Sequence, residues 1–258
     1  MTKTKLNLVL AASLFATAGV ASANDADWII APYIWLPNVS ADVTNLDLAV
    51  GGDPSNGNGS TNVLDSLIWG FMVHTEAQGD NWGFLNEITY ADLSETNTRT
   101  FDLGDGDVGY KQTAENQDWI IDLAVVWAPG ETKFMGFEPY AGIRYLDVQM
   151  GLELQPIVNN VALDTFSFNG DNSWTDFLVG AKYSVPLSEK WGLAFRGDYS
   201  FGDTDGTWLL SATALYATKS GAWAFGYRYM GIDLPINNTG SNLDLSLYGF
   251  QAGYAFKF

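Results

Sequence analysis

Along most of this chain, large apolar residues alternate with small or polar ones. Between 119 and 128, Trp119, Ile121, Leu123, Val125 and Trp127 fall on one face, and Ile120, Asp122, Ala124, Val126 and Ala128 on the other. A period of two sends successive side chains to opposite faces of a strand. At the C-terminus, Tyr248, Phe250, Ala252, Tyr254, Phe256 and Phe258 oppose Gly249, Gln251, Gly253, Ala255 and Lys257. In 191–200, Trp191, Leu193, Phe195 and Tyr199 oppose Gly192, Ala194, Arg196, Asp198 and Ser200. In 174–185, Phe177, Val179, Ala181, Tyr183 and Val185 oppose Asp176, Gly180, Lys182 and Ser184. In 137–146, Ile143 and Tyr145 oppose Glu138, Tyr140, Gly142 and Arg144. One face is apolar and often aromatic; the other is smaller and carries charge.

Ten segments follow this rule, roughly 28–36, 70–79, 82–92, 118–128, 137–150, 174–185, 191–201, 207–217, 222–232 and 243–258. Each is near or above the about 9–11 residues that carry a tilted strand across a bilayer. Short connections (79–81, 129–136, 186–190, 218–221) alternate with long ones (37–69, 93–117, 151–173, 233–242); 202–206 is short on the long side. That asymmetry predicts an all-β fold, an antiparallel transmembrane barrel of about ten strands with its short turns and both termini on the periplasmic side. Eight or twelve strands stay open, because 37–69 has room for a hairpin around Asn45–Val50. Asn86 falls on the apolar face of Phe84, Ile88 and Tyr90, which predicts a β-bulge. In 207–217 both faces are apolar, and Ser211 and Thr213 mark the inner one.

The N-terminus reads differently. Lys3 and Lys5 precede an apolar stretch from Leu6 to Val20 and an Ala21-Ser22-Ala23 site, the layout of a secretory signal peptide over 1–23. The barrel domain is then 24–258, with no helical membrane span after it.

Tryptophan position is a second test of the barrel. Trp28, Trp82, Trp127, Trp191 and Trp223 fall at the predicted periplasmic strand ends, and Trp35, Trp119, Trp174 and Trp208 at the outer ends. Two belts at two depths are an aromatic girdle. A secreted β-sandwich, the soluble alternative, predicts no belts.

The chain ends Gln251-Ala252-Gly253-Tyr254-Ala255-Phe256-Lys257-Phe258. This resembles the assembly signal of Gram-negative outer-membrane barrels, with Gln251, Gly253, Phe256 and Phe258 at the matching positions. Further stretches resemble an uncharacterised family of small, porin-like Gram-negative outer-membrane proteins. They are Trp28 with Pro32-Tyr33-Ile34-Trp35-Leu36-Pro37, Glu76, Tyr140-Ala141-Gly142-Ile143-Arg144-Tyr145, Trp174-Thr175-Asp176-Phe177 with Gly180, Gly197-Asp198 and Tyr227-Arg228-Tyr229. Phe177 stands where the family has Pro. The resemblance implies a barrel in the outer membrane, assembled by the insertion machinery and surrounded by lipid and lipopolysaccharide, with no established activity.

Charge narrows the functions. The 258 residues hold 12 bases and 30 acids, net −18, which excludes a nucleic-acid partner. There is no cysteine and one histidine, so thiolate and multi-imidazole metal sites are excluded and no cofactor is expected. Most acids fall on the predicted outer loops, against only Arg99 and Lys111. The inward face carries Glu76, Glu87, Asp122, Glu138, Asp176 and Asp198 with Arg144, Lys182, Arg196, Arg228 and Lys257. Buried charges need partners, so these predict a salt-bridged lumen. Such a barrel is either closed or a narrow path for small solutes or cations. A second reading is a non-conducting surface protein whose acidic loops bind divalent cations, lipopolysaccharide or a partner. Asp102, Asp105 and Asp107, spaced by Gly, are the weak metal candidate there. A third is a hydrolase built on His74 and Glu76, with Ser211 as the inward serine.

Overall fold

The computed structural model describes residues 26–44, 61–62, 67–102, 107–158, 161–163, 166–236 and 241–258. The signal-peptide segment 1–23, the stretch 45–50 and Asp105, like the side chains of Asp102 and Asp107, lie outside the described residues. Ten long strands follow one another: β1 (Asp27–Thr44), β2 (Leu67–Gln78), β3 (Trp82–Asp102), β4 (Asp107–Trp127), β5 (Gly136–Val158), β6 (Phe166–Pro186), β7 (Trp191–Gly202), β8 (Gly206–Ala217), β9 (Gly221–Ile236) and β10 (Ser241–Lys257). Each pairs antiparallel with the next, and β10 returns to pair with β1. The sheet therefore closes on itself, with the β1–β2 ladder running only from Asp27↔Gln78 to Tyr33↔Met72. At the seam, Trp28 and Phe258 exchange backbone hydrogen bonds of 3.1 and 2.9 Å. Two-residue pieces at Thr61–Asn62 and Val161–Ala162 add to β1 and β5.

Strand register settles which face meets what. Ile34, Phe177, Leu210, Phe225 and Phe250 are all more than half exposed, while Arg144, Met230, Leu178 and Asp122 on the other face are buried. A soluble barrel would not present such an apolar exterior around a charged interior. It is the arrangement of an outer-membrane barrel, whose hydrocarbon-facing band replaces water as solvent.

The strands run further than hydrophobic alternation reaches. The β3–β4 ladder continues to Asp102↔Asp107, and β5–β6 pairs as far as Leu154↔Phe166. The long connections 93–117 and 151–173 are thus largely strand. Both faces of Ser94–Thr100 are polar, so alternation gives no signal there, yet Thr is well suited to strands. Thr96 and Thr113 meet across the pair at 3.2 Å. The register through Asn86 is continuous, so the expected bulge is absent; the ladder irregularity lies instead between Leu67 and Trp69. Asn86 is accommodated on the outer face because its side chain donates to the Asp122 carbonyl at 3.0 Å.

The girdle tryptophans, grouped by depth, do not all face outward. Trp82, Trp127, Trp191 and Trp223 are exposed at the periplasmic end, with Trp28 half-buried beside them. At the outer end, Trp119 meets Phe71 edge-on and lies tilted against Tyr90, while Trp208 stacks with Tyr229, which stacks in turn on Tyr248. Trp35 and Trp174 occupy the expected depth but turn inward. Trp35 shares parity with Tyr33, and Trp174 with Asp176, so register carries both rings into the lumen.

Candidate functional site

The lumen is built in three layers. At mid-height lies an ionic layer whose two walls differ in sign. Register places His74, Glu87, Asp122, Arg144 and Asp176 side by side on β2 to β6. The facing wall sets Lys182, Arg196, Ser211 and Arg228 side by side on β6 to β9. Closing the sheet turns an acidic row toward a basic row.

Arg196 binds across this gap. It contacts Glu87, donates to Asp122 Oδ2 at 2.9 Å and Asp198 Oδ2 at 2.9 Å, and reaches the Tyr140 hydroxyl at 2.8 Å. Arg144 grips Asp122 with two bonds of 2.8 Å, adds Asp198 at 2.9 Å and Thr207 at 2.8 Å. The paired donors of a guanidinium match a carboxylate geometrically. Arg228 meets Glu87 at 2.6 Å, donates to Tyr33 at 2.6 Å and lies 4.9 Å over the Trp35 ring. Lys182 joins Glu76 and reaches Glu138 at 3.2 Å, while Gln78 donates to both carboxylates at 2.7 Å.

Of the ten residues expected in a lumen network, nine form it. The tenth, Asp176, meets no cation among the described residues. It accepts from Ser200 at 2.9 Å and from the Thr204 amide at 3.1 Å, and the Thr204 hydroxyl also donates to it. Asp176 thereby ties the short 202–206 turn down against the strand ends. Lys257 is not in the layer either; it pairs with Asp27 at the periplasmic rim, at 3.1 Å. Lys257 and then Lys133 hold the Asp27 carboxyl below its ordinary range.

Two close approaches shape the layer. A Cβ at Gly180 would stand 2.6 Å from the Tyr140 ring and from Asp198, so glycine lets Tyr140 lie where its hydroxyl donates to Asp198 at 2.7 Å. A Cβ at Gly253 would stand 2.5 Å from Tyr33, so this glycine of the C-terminal motif leaves room for an ionic-layer side chain. Gln251 donates to Thr213 inside, while Phe256 and Phe258 are exposed outside.

Above the layer, on the extracellular side, Trp35, Leu146, Leu209, Met230, Ile232 and Leu234 form a buried apolar plug, with Trp174, Met72 and Ile120 packed against it. Sequence reasoning anticipated salt bridges but not this plug. Its signal was present: Met230, Ile232 and Leu234 share parity with Arg228.

Below the layer the lumen opens. A cavity of about 720 Å³ runs from Glu76, Glu87, Arg196 and Arg228 down to the periplasmic turns. Leu85, Ala124, Val126 and Tyr140 pack the other side of this half. The cavity is therefore off-centre, against β6 to β10 and β1. The 128–135 connection borders its mouth. Phe134 there has φ of 63°, a region that bulky residues rarely adopt, and its amide donates to Gln78 at 2.7 Å.

His74 faces this cavity. Its Nε2 lies 3.3 Å from Glu76 and its Nδ1 3.4 Å from Glu87. Ser211 lines the same cavity, opposite Arg196 and Arg228 in register. Among the described residues no group of three or more His, Cys, Asp or Glu is placed to hold a metal.

The motifs that carried the sequence resemblance converge here. Tyr33, Glu76, Tyr140, Arg144, Gly180, Asp198 and Arg228, distant in sequence, all build or flank the ionic layer. No family model matches the chain. No curated protein matches it either. Solved structures of similar fold are small outer-membrane barrels. The outer membrane protease OmpT of Escherichia coli aligns at TM-score 0.48 with 9% identity, over 92% of this chain and 98% of that one. The attachment invasion locus protein Ail of Yersinia pestis aligns at 0.38 with 7% identity, over 90% and 99%. OprG of Pseudomonas aeruginosa aligns at 0.30 with 13% identity, over 91% and 96%.

Proposed function

We propose that this protein is a non-conducting outer-membrane barrel, sealed at mid-lumen, that presents acidic strand-built hairpins to the exterior. The observation that carries this is the stack of two closures, ionic and apolar, across one narrow lumen. Arg144, Met230, Leu209 and Asp122 are at most 2% exposed. An ion crossing here would have to displace paired guanidinium and carboxylate groups and then an apolar plug. Both steps are costly. Ten strands lie close to the size at which side chains fill a barrel. The outward hairpins supply what remains for contact: β3–β4 and β5–β6 extend beyond the outer girdle, and the charges there are mostly acidic.

The hydrolase reading draws less support. Both ring nitrogens of His74 face carboxylates, which leaves neither free to take a proton from a serine. Planar-bilayer recording of the refolded protein tests the proposal. Silence at moderate voltage is expected; a steady, salt-dependent conductance of the wild-type chain overturns it. His74→Ala is expected to leave any lipase or protease activity of the preparation unchanged.

A further inference from the structure

We propose that the periplasmic half of the lumen is a binding site for a single-chain amphipathic anion. Its alkyl chain would occupy the shaft, and a carboxylate or phosphate head would sit among the lysines at the mouth.

The charge distribution is the first argument. The chain is strongly acidic, yet this cavity is lined by bases. Of 12 bases in the sequence, Lys3 and Lys5 precede the barrel and seven others line this one cavity, against three carboxylates. Lys182, Arg196 and Arg228 at the roof are neutralised by the ionic layer. At the mouth, beside Glu189, Lys133 and Lys257 pair with the carboxylate of Asp27, and Lys190 and Lys219 add two further ammonium groups that form no ion pair among the described residues. A cationic ring of this kind attracts and orients an anion.

The shaft between mouth and roof is the second argument. Inward positions there are apolar and mostly small: Ala31, Ala194, Ala222, Ala224 and Ala255, with Leu215 among them. Two of its polar groups answer one another: Gln251 donates to Thr213 at 2.9 Å. The lining is mainly apolar, so a polar solute gains few hydrogen bonds there, whereas an alkyl chain loses only water. From Lys257 to Gln251 the strand advances about 20 Å, or about 15 Å along a tilted barrel axis. The cavity volume of about 720 Å³ falls within the usual range of ligand pockets, about 300–1,000 Å³. The packed wall of Leu85, Ala124 and Val126 confines the space to one side, which suits one chain rather than two.

The test uses the whole barrel in phosphatidylcholine nanodiscs, titrated with 11-(dansylamino)undecanoic acid against empty discs. Saturable fluorescence enhancement is expected. Laurate and dodecyl phosphate should displace the probe, and their relative strength identifies the preferred head. Dodecanol should compete at least about tenfold less well than the better of these two, because it lacks the charge. The double variant Lys190→Gln/Lys219→Gln should weaken binding about tenfold, and Ala224→Phe should abolish it. Each variant is first checked for the gel-mobility difference between heated and unheated samples. If Ala224→Phe does not fold, Ala194→Leu takes its place. Enhancement no greater than in empty discs, dodecanol competing as well as laurate, or wild-type affinity in the shaft-filling variant would each overturn the site.

Discussion

The extracellular and periplasmic halves of the lumen are lined by the same ten strands, yet one is solid and the other hollow. Above the ionic layer the inward positions carry Trp35, Leu146, Leu209, Met230, Ile232 and Leu234. Below it, on β7 to β10, they carry mostly Ala, Gly and Ser. Strand number sets the diameter of a barrel, but inward side-chain volume decides whether that diameter is filled. On β9 the switch happens within a few residues: Ala222 and Ala224 line the cavity, Arg228 roofs it, and Met230 plugs the space beyond.

The ionic layer divides the halves, and removing its buried cation should have the largest effect. Arg144→Met leaves Asp122 and Asp198 without one of their two guanidinium partners. A loss of about 3–5 kcal/mol is expected, read as an earlier midpoint in urea unfolding from lipid vesicles. Adding Asp122→Asn should recover part of it; no recovery would mean that packing rather than charge is what Arg144 supplies.

Paired truncations compare the halves directly. Met230→Ala, in the plug, should cost about 2–5 kcal/mol, because it leaves a void among close-packed neighbours. Leu215→Ala, which borders open space, should cost markedly less in the same assay. Equal losses would show that the lower half collapses around truncated residues and is not a standing cavity. The reverse change sharpens the contrast. Ala124→Leu on the packed wall should destabilise by about 1–3 kcal/mol, whereas Ala224→Leu in the shaft should change stability by less than about 1 kcal/mol.

The smallest effect belongs to the outer rim. Burial, then Asp244 and Asp205, raise the Asp233 carboxyl above its ordinary range. Asp233 and Asp244 stand directly opposite each other on β9 and β10. A carboxyl with a raised folded-state pKa holds its proton more tightly when folded. Its contribution is fully present below about pH 4 and is lost as pH rises through the raised value. Asp233→Asn should therefore flatten the stability profile above pH 4 and stabilise slightly at neutral pH. An unchanged profile would place the repulsion elsewhere in the rim.

Much of this was legible along the chain. Alternation placed the ten strands, and parity put Glu87, Asp122, Arg144 and Arg196 on the inner face. It did not give the ends of β3 to β6, because a strand that stands in water on both faces has no apolar period to read. Nor did it say that Asn86 would be satisfied by a carbonyl rather than a bulge, since only the neighbouring strand supplies that acceptor. Trp35 and Trp174 were placed by depth, and their rotation into the lumen follows from register.

Sequence by itself determined that most strands have one apolar face and one smaller, more polar face, and so that the chain must close into a barrel with hydrocarbon outside. Only the tertiary structure decided which charge meets which. Partners such as Glu87 and Arg228 lie on strands far apart in the chain, and closing the sheet fixes their height and facing. The same holds for the hollow. A run of alanines on one strand is unremarked in sequence, and becomes a cavity only when small positions from six strands are brought to one level.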